Sequence, residues 1–113
     1  MAKAKTQSSF IVKGHMIGTR LVLAVCDEDV LGKVYEEKGA MLDMTSSFYK
    51  GHAKTKEELL AILKKVYTVN IVGKDSVAFF KGLLLVNKDD IRMIKGVPYT
   101  SIILDDPHIK FGN

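Results

Sequence analysis

The residues best suited to chemistry are concentrated at one place in this chain. An apolar run, Leu21 to Cys26, breaks into Asp27, Glu28 and Asp29 and then into Gly32-Lys33. Cys26 could act as a nucleophile if a histidine or a helix N-terminus lowered its pKa, and the acids that follow open a short helical turn. The competing reading is a small core residue at the end of a buried strand. The three acids could offer oxygens to a hard cation such as Mg²⁺. Consecutive residues on a helix splay apart, however, and no calcium-loop spacing is present, so a helix start complemented by acids is the plainer reading. His15, His52 and His108 show no ligand spacing, and with one cysteine no zinc motif can be written. No metal set and no cofactor loop is read from these residues.

Gly73-Lys74 invites a phosphate-loop reading, which fails at two positions. Thr68 stands where the loop needs its first glycine, and Asp75 stands where a hydroxyl should hold the metal. Asp75 is expected instead to cap a helix. A different signal comes from Tyr49-Lys50-Gly51 and from Gly96-Val97-Pro98-Tyr99 with Lys95. Tyrosines beside lysines in glycine-bearing loops can stack on unpaired bases while the cations hold phosphates. The plainer alternative is a pair of turns whose tyrosines pack on the core edge. Met16, Met41, Met44 and Met93 read as core fillers.

Charge adds to the nucleic-acid signal. The first 20 residues hold Lys3, Lys5, Lys13 and Arg20, four of the 17 basic residues, and none of the 13 acids, so the whole excess of +4 lies there. A basic arm on a neutral body can reach RNA, where each phosphate contact adds affinity by releasing counterions; a solubilising terminus is the other reading. The candidate RNA-binding set is therefore Lys3, Lys5, Lys13, Arg20, Tyr49, Lys50, Lys64, Lys65, Lys95 and Tyr99.

These residues must be positioned by a fold, and 113 residues suffice for one domain with its own core. With 47% hydrophobic and 27% charged residues the chain is of ordinary globular composition. A single cysteine, no apolar signal segment and no apolar run near the roughly 20 residues of a membrane span suggest a cytoplasmic protein with no membrane association and no disulfide-linked partner. Ser9–Met16 and Arg20–Cys26 read as strands around a Gly18-Thr19 turn, the second apolar on both faces and hence central. Residues 35–51 carry mixed signals and receive no assignment. Thr55 and Glu58 form a capping box for a helix over 55–67, whose polar face carries Lys56, Lys64 and Lys65. Thr68–Val72 is short and β-branched, a strand or extended link. A second helix, opened by Asp75 and ended by Gly82, buries Val77, Phe79 or Phe80 and Leu83 or Leu84. Ile91–Lys95 pairs with Thr100–Leu104 around a turn at Gly96, Val97 and Pro98, and 105–113 reads as a polar tail. The fold class expected is α+β, one compact domain with a small, mostly antiparallel sheet and two main helices, spanning 9–113 behind a flexible basic arm at 1–8.

AVCDEDVLGK at 24–33, FYKG at 48–51, NIVGKDSV at 70–77 and GVP at 96–98 give the chain a resemblance to the archaeal domain-of-unknown-function family 424, roughly from Ser9 to Ile103. The resemblance implies a compact α/β domain of archaeal cytoplasm, encoded among translation genes, and so a link to the ribosome. Tyr99 stands where the family often has histidine, which weakens any role for a histidine there. Three functions follow as expectations. One is a non-catalytic accessory protein of translation that binds the ribosome, through rRNA or ribosomal proteins. Another is a small enzyme with its site between the Cys26–Asp29 turn and a 70–73 loop. The last is a module that binds only proteins.

Overall fold

A computed structural model describes residues 9–104. It contains β1 (Ser9–Ile17), β2 (Arg20–Cys26), β3 (Val34–Glu37), β4 (Ala40–Asp43), β5 (His52–Thr55), α1 (Lys56–Leu63), β6 (Thr68–Val72), α2 (Lys74–Gly82), β7 (Arg92–Ile94) and β8 (Val97–Ile103). Short 3₁₀ turns stand at Glu28–Val30, Ser47–Tyr49 and Lys88–Asp90. Six strands form one sheet in the order β5-β1-β2-β6-β8-β7, antiparallel except where β2 meets β6; β3 and β4 form a separate hairpin. This is the expected α+β domain, mostly antiparallel with two helices. None of its described helices is long and apolar enough to cross a membrane.

The two faces of the sheet differ. Phe10, Val12, Leu23, Val25, Val69 and Ile71 form a core with Leu59 and Leu63 of α1 and Val77 and Phe80 of α2, so both helices lie on one face. On the other face Ile11, Cys26, Val72 and the partly buried Tyr99, one row of the sheet, are covered by Val30 and Met44 with partly buried Tyr35 and Tyr49. That cover, built from residues 27–51, reaches only one end of the sheet. β2 is buried on both sides, as its unbroken apolar run requires.

Several local expectations need correcting. The capping box at Thr55 and Glu58 is formed, but α1 ends at Leu63 rather than 67. The Tyr67 N–H leaves the helix to donate to the Leu21 carbonyl, which starts the parallel pairing of β6 with β2. α2 ends at Gly82 as expected, but Gly82 does not take the left-handed conformation that closes it. The left-handed position falls on Leu84 (φ +63), which is 90% exposed, while Phe80 takes the core position. The last hairpin turns at Lys95 and Gly96, both at positive φ, as Lys38 and Gly39 do between β3 and β4. Lys-Gly thus supplies the primed turn more often built from Asn-Gly.

Pro98 lies within β8 rather than in a turn. Its carbonyl accepts from the Gly73 N–H, while the Gly73 carbonyl is already taken by Val77 at the start of α2. The N–H that proline lacks is therefore not missed. Of the methionines read as core fillers only Met44 is buried; Met16, Met41 and Met93 are exposed. The unassigned stretch 35–51 proves to be the hairpin and 3₁₀ turn that cover Cys26.

Candidate nucleic-acid interface

The Cys26–Asp29 corner, the enzymatic alternative, is occupied by structural bonds. Asp27 is only 8% exposed and turns away from its own 3₁₀ turn toward α2. Its Oδ2 accepts the Asp75 N–H at 2.9 Å, and its Oδ1 accepts the Ser76 N–H and hydroxyl, both at 2.7 Å. Asp75 itself is an exposed residue inside the first turn of α2, so the cap expected from it is supplied by Asp27 across the fold. The residue preceding the helix is Gly73, at φ +111, where a Cβ would stand 2.4 Å from the Asp27 carboxyl carbon. Cys26 is fully buried, and burial, reinforced by Asp27 and Asp29, pushes its thiol up to about 12. The thiolate needed for nucleophilic attack is thus disfavoured at neutral pH. Asn70 to Val72 belong to β6 rather than to a loop.

Among the described residues the histidines do not converge on a metal. His15 stacks on Phe48 with centroids 4.3 Å apart and places Nε2 2.9 Å from the Phe48 carbonyl oxygen. No group of three or more potential metal ligands occurs among the described residues. His108 lies outside them, as do Lys3, Lys5, the arm at 1–8 and the tail at 105–113.

Three of the RNA-binding candidates meet at one end of the sheet. Arg20 begins β2, Lys64 and Lys65 follow α1, and all three are exposed around a cleft of about 270 Å³ shared with Tyr67 and Leu104. The Arg20 guanidinium carbon lies 4.1 Å from the centroid of the Tyr67 ring. None of the described lining residues is acidic. Lysines just past a helix complement its C-terminal dipole; here they also face an arginine from a different element. Tyr67 closes the helix expected over 55–67 but stands outside α1, which ends at Leu63. Its separate role depends on where α1 stops.

Tyr49 and Tyr99 are brought together as well. Both are half-buried against the second core and line a cleft of about 570 Å³ with Asn70, Ser101 and Arg92. Tyr99 lies in β8 rather than in a loop. Gly51 lets the Tyr49 turn press onto β1, since a Cβ there would fall 1.9 Å from the Val12 carbonyl oxygen. Burial, and to a lesser degree Cys26, push the Tyr49 hydroxyl up, so it remains a hydrogen-bond donor. Lys13 lies on the same sheet face, in register with Ala24, Asn70 and Ser101 across four strands. Lys50 is exposed beside Tyr49. Lys95 is set apart, in a smaller cleft with Lys33, Lys74, Asp27, Asp29 and Asp75, where acids balance the charge.

Among solved structures, the crystal structure of an uncharacterized conserved protein from Methanopyrus kandleri is similar to this chain, with a TM-score of 0.70 at 24% identity. The alignment covers 91% of this chain and 99% of that one, and it speaks for the fold alone. No functionally curated protein matches. The family model described as a protein of unknown function, DUF424, matches residues 15–104, somewhat inside the span at first expected at the N-terminal side. That match takes in every strand of the sheet except most of β1, the Cys26–Asp27 corner and all three clefts, and on it the chain belongs to the DUF424 family.

Proposed function

We propose that this protein is a non-catalytic accessory factor of translation that docks on the ribosome by binding rRNA. The observation that carries the reading is the meeting of Arg20, Lys64 and Lys65 around one cleft, with Tyr67 beneath the arginine and no acid among the described lining residues. Phosphates are held by such clusters through counterion release and charge-assisted hydrogen bonds, and an arginine over an aromatic ring is pre-organised for stacking. Exposed Met16, Ile17 and Ile103 lie toward the same end of the sheet and offer an apolar margin for a ribosomal protein. The basic arm with Lys3 and Lys5 would add further phosphate contacts.

Co-sedimentation with purified ribosomal subunits at rising salt tests the reading. The wild-type chain should pellet with one subunit at low salt, and Arg20→Gln with Lys64→Gln and Lys65→Gln should release it. Equal pelleting of the two proteins at every salt concentration would count against rRNA docking through this cluster.

A further inference from the structure

The larger cleft has a composition of its own. Asn70 and Ser101, in register on β6 and β8, place a carboxamide and a hydroxyl in the middle of a sheet face. Tyr49 lines it from the 3₁₀ turn, Tyr99 from the next row of β8, and Arg92 stands opposite Tyr99 on the edge strand. Asp89 and Asp90, both exposed, complete the rim. The Asn70 carboxamide takes no part in the side-chain hydrogen bonds found among the described residues. Its donor and acceptor stay available in a half-buried position.

The volume of about 570 Å³ is that of a small-ligand site. One arginine beside two acids suits a single phosphate rather than a run of them, and the polar floor argues against a purely apolar guest. A metal is disfavoured because adjacent carboxylates splay and no ligating group of three is present among the described residues. A flat ligand with a hydrogen-bonding edge, a stacking face and free hydroxyls satisfies every side chain.

We infer that this cleft binds a nucleoside unit. The base packs against Tyr49 and Tyr99 with its edge hydrogen-bonded to Asn70 and Ser101. The ribose hydroxyls donate to Asp89 or Asp90, and Arg92 meets an attached phosphate. Carboxamides and hydroxyls read base edges, and tyrosines stack on any base. The site deepens the RNA reading and rests on it only for the source of the ligand, because the same unit could be an unpaired nucleotide of RNA or a free nucleotide.

The test is an NMR titration of the full chain with each common ribonucleoside, its 5′-monophosphate and a short single-stranded RNA. Uncharged nucleosides should shift the backbone amides of Tyr49, Asn70, Tyr99 and Ser101. Asn70→Ala, Ser101→Ala and Tyr99→Leu, each checked for folding by circular dichroism, should weaken that binding about tenfold or more, as expected when a stacking or edge contact is lost. RNA binding at least about tenfold tighter than the monophosphate identifies an RNA nucleotide as the ligand, and equal binding identifies a free nucleotide. Folded protein that shows no nucleoside or monophosphate shifts at these residues at millimolar ligand overturns the site. The variant altered at Arg20, Lys64 and Lys65 separates the two proposals, since it should lose the ribosome and keep the nucleoside.

Discussion

Asp27 and Ser76 lie 49 positions apart, yet the Asp27 Oδ1 accepts both the backbone N–H and the hydroxyl of Ser76. The carboxylate thereby satisfies the first turn of α2 and ties the helix to the end of β2. Removing it leaves buried donors without partners. Asp27→Ala should destabilise the fold by about 3 kcal/mol and Ser76→Ala by about 1 kcal/mol. In a double-mutant cycle followed by urea unfolding, the two effects should be clearly non-additive; additivity would mean that the pair does not act as a unit.

Gly73→Ala should cost about 2–4 kcal/mol, because it places a Cβ at φ +111 and against the Asp27 carboxylate at once. Combined with Asp27→Ala, which empties that space, the same change should cost distinctly less. An identical penalty in both backgrounds would assign the whole effect to the backbone dihedral.

Leu84 offers a stabilising change. It is 90% exposed and held at φ +63 after α2, a conformation that burdens any side chain with a Cβ. Leu84→Gly should raise stability by about 0.5–1 kcal/mol, and a lower melting temperature would contradict this.

Cys26 gives a prediction in pH. The folded chain holds the thiol proton up to about 12, against an ordinary value of 9.0. Its contribution is fully present below about pH 9 and declines as pH rises toward 12, where the unfolded chain has released a proton that the folded one retains. Cys26→Ala should therefore start less stable but lose less stability than wild type over that window in urea titrations. Near neutral pH the folded thiol should react with an aromatic disulfide at least about a hundredfold more slowly than the unfolded one. Rapid reaction of folded protein would reopen the case for a nucleophile.

The basic end predicts a salt response. If Arg20, Lys64 and Lys65 each hold one phosphate of single-stranded RNA, neutralising all three should flatten the slope of log affinity against log salt by about 2. Tyr99→Leu should lower affinity while leaving that slope unchanged, because stacking releases no counterions. Deletion of residues 1–8 that changed neither affinity nor slope would exclude the arm as a contact.

Much of this domain was legible in its residues. The Thr55–Glu58 capping box, the hairpin at Gly18-Thr19 and the central position of β2 follow from local rules of hydrogen bonding and burial, and each is found. The ordered motifs were likewise sufficient to place the family. The expectation that Asp75 caps α2 failed because a cap can arrive from any distant residue that the fold brings near, and nothing around Asp27 announces a partner at Ser76. Lys-Gly turns gave a weaker signal than Asn-Gly, so the β3–β4 hairpin went unassigned.

The sequence by itself determined the β1–β2 hairpin, the start of α1 and the burial of β2 on both faces, because alternation and capping act over a few positions. Only the tertiary structure decided where the functional candidates stand relative to one another. The parallel pairing of β2 with β6 brings Arg20 beside Tyr67, and the register of β6 with β8 sets Asn70 beside Ser101. Such distances are set by sheet order and by where α1 stops, and those depend on packing across the whole domain.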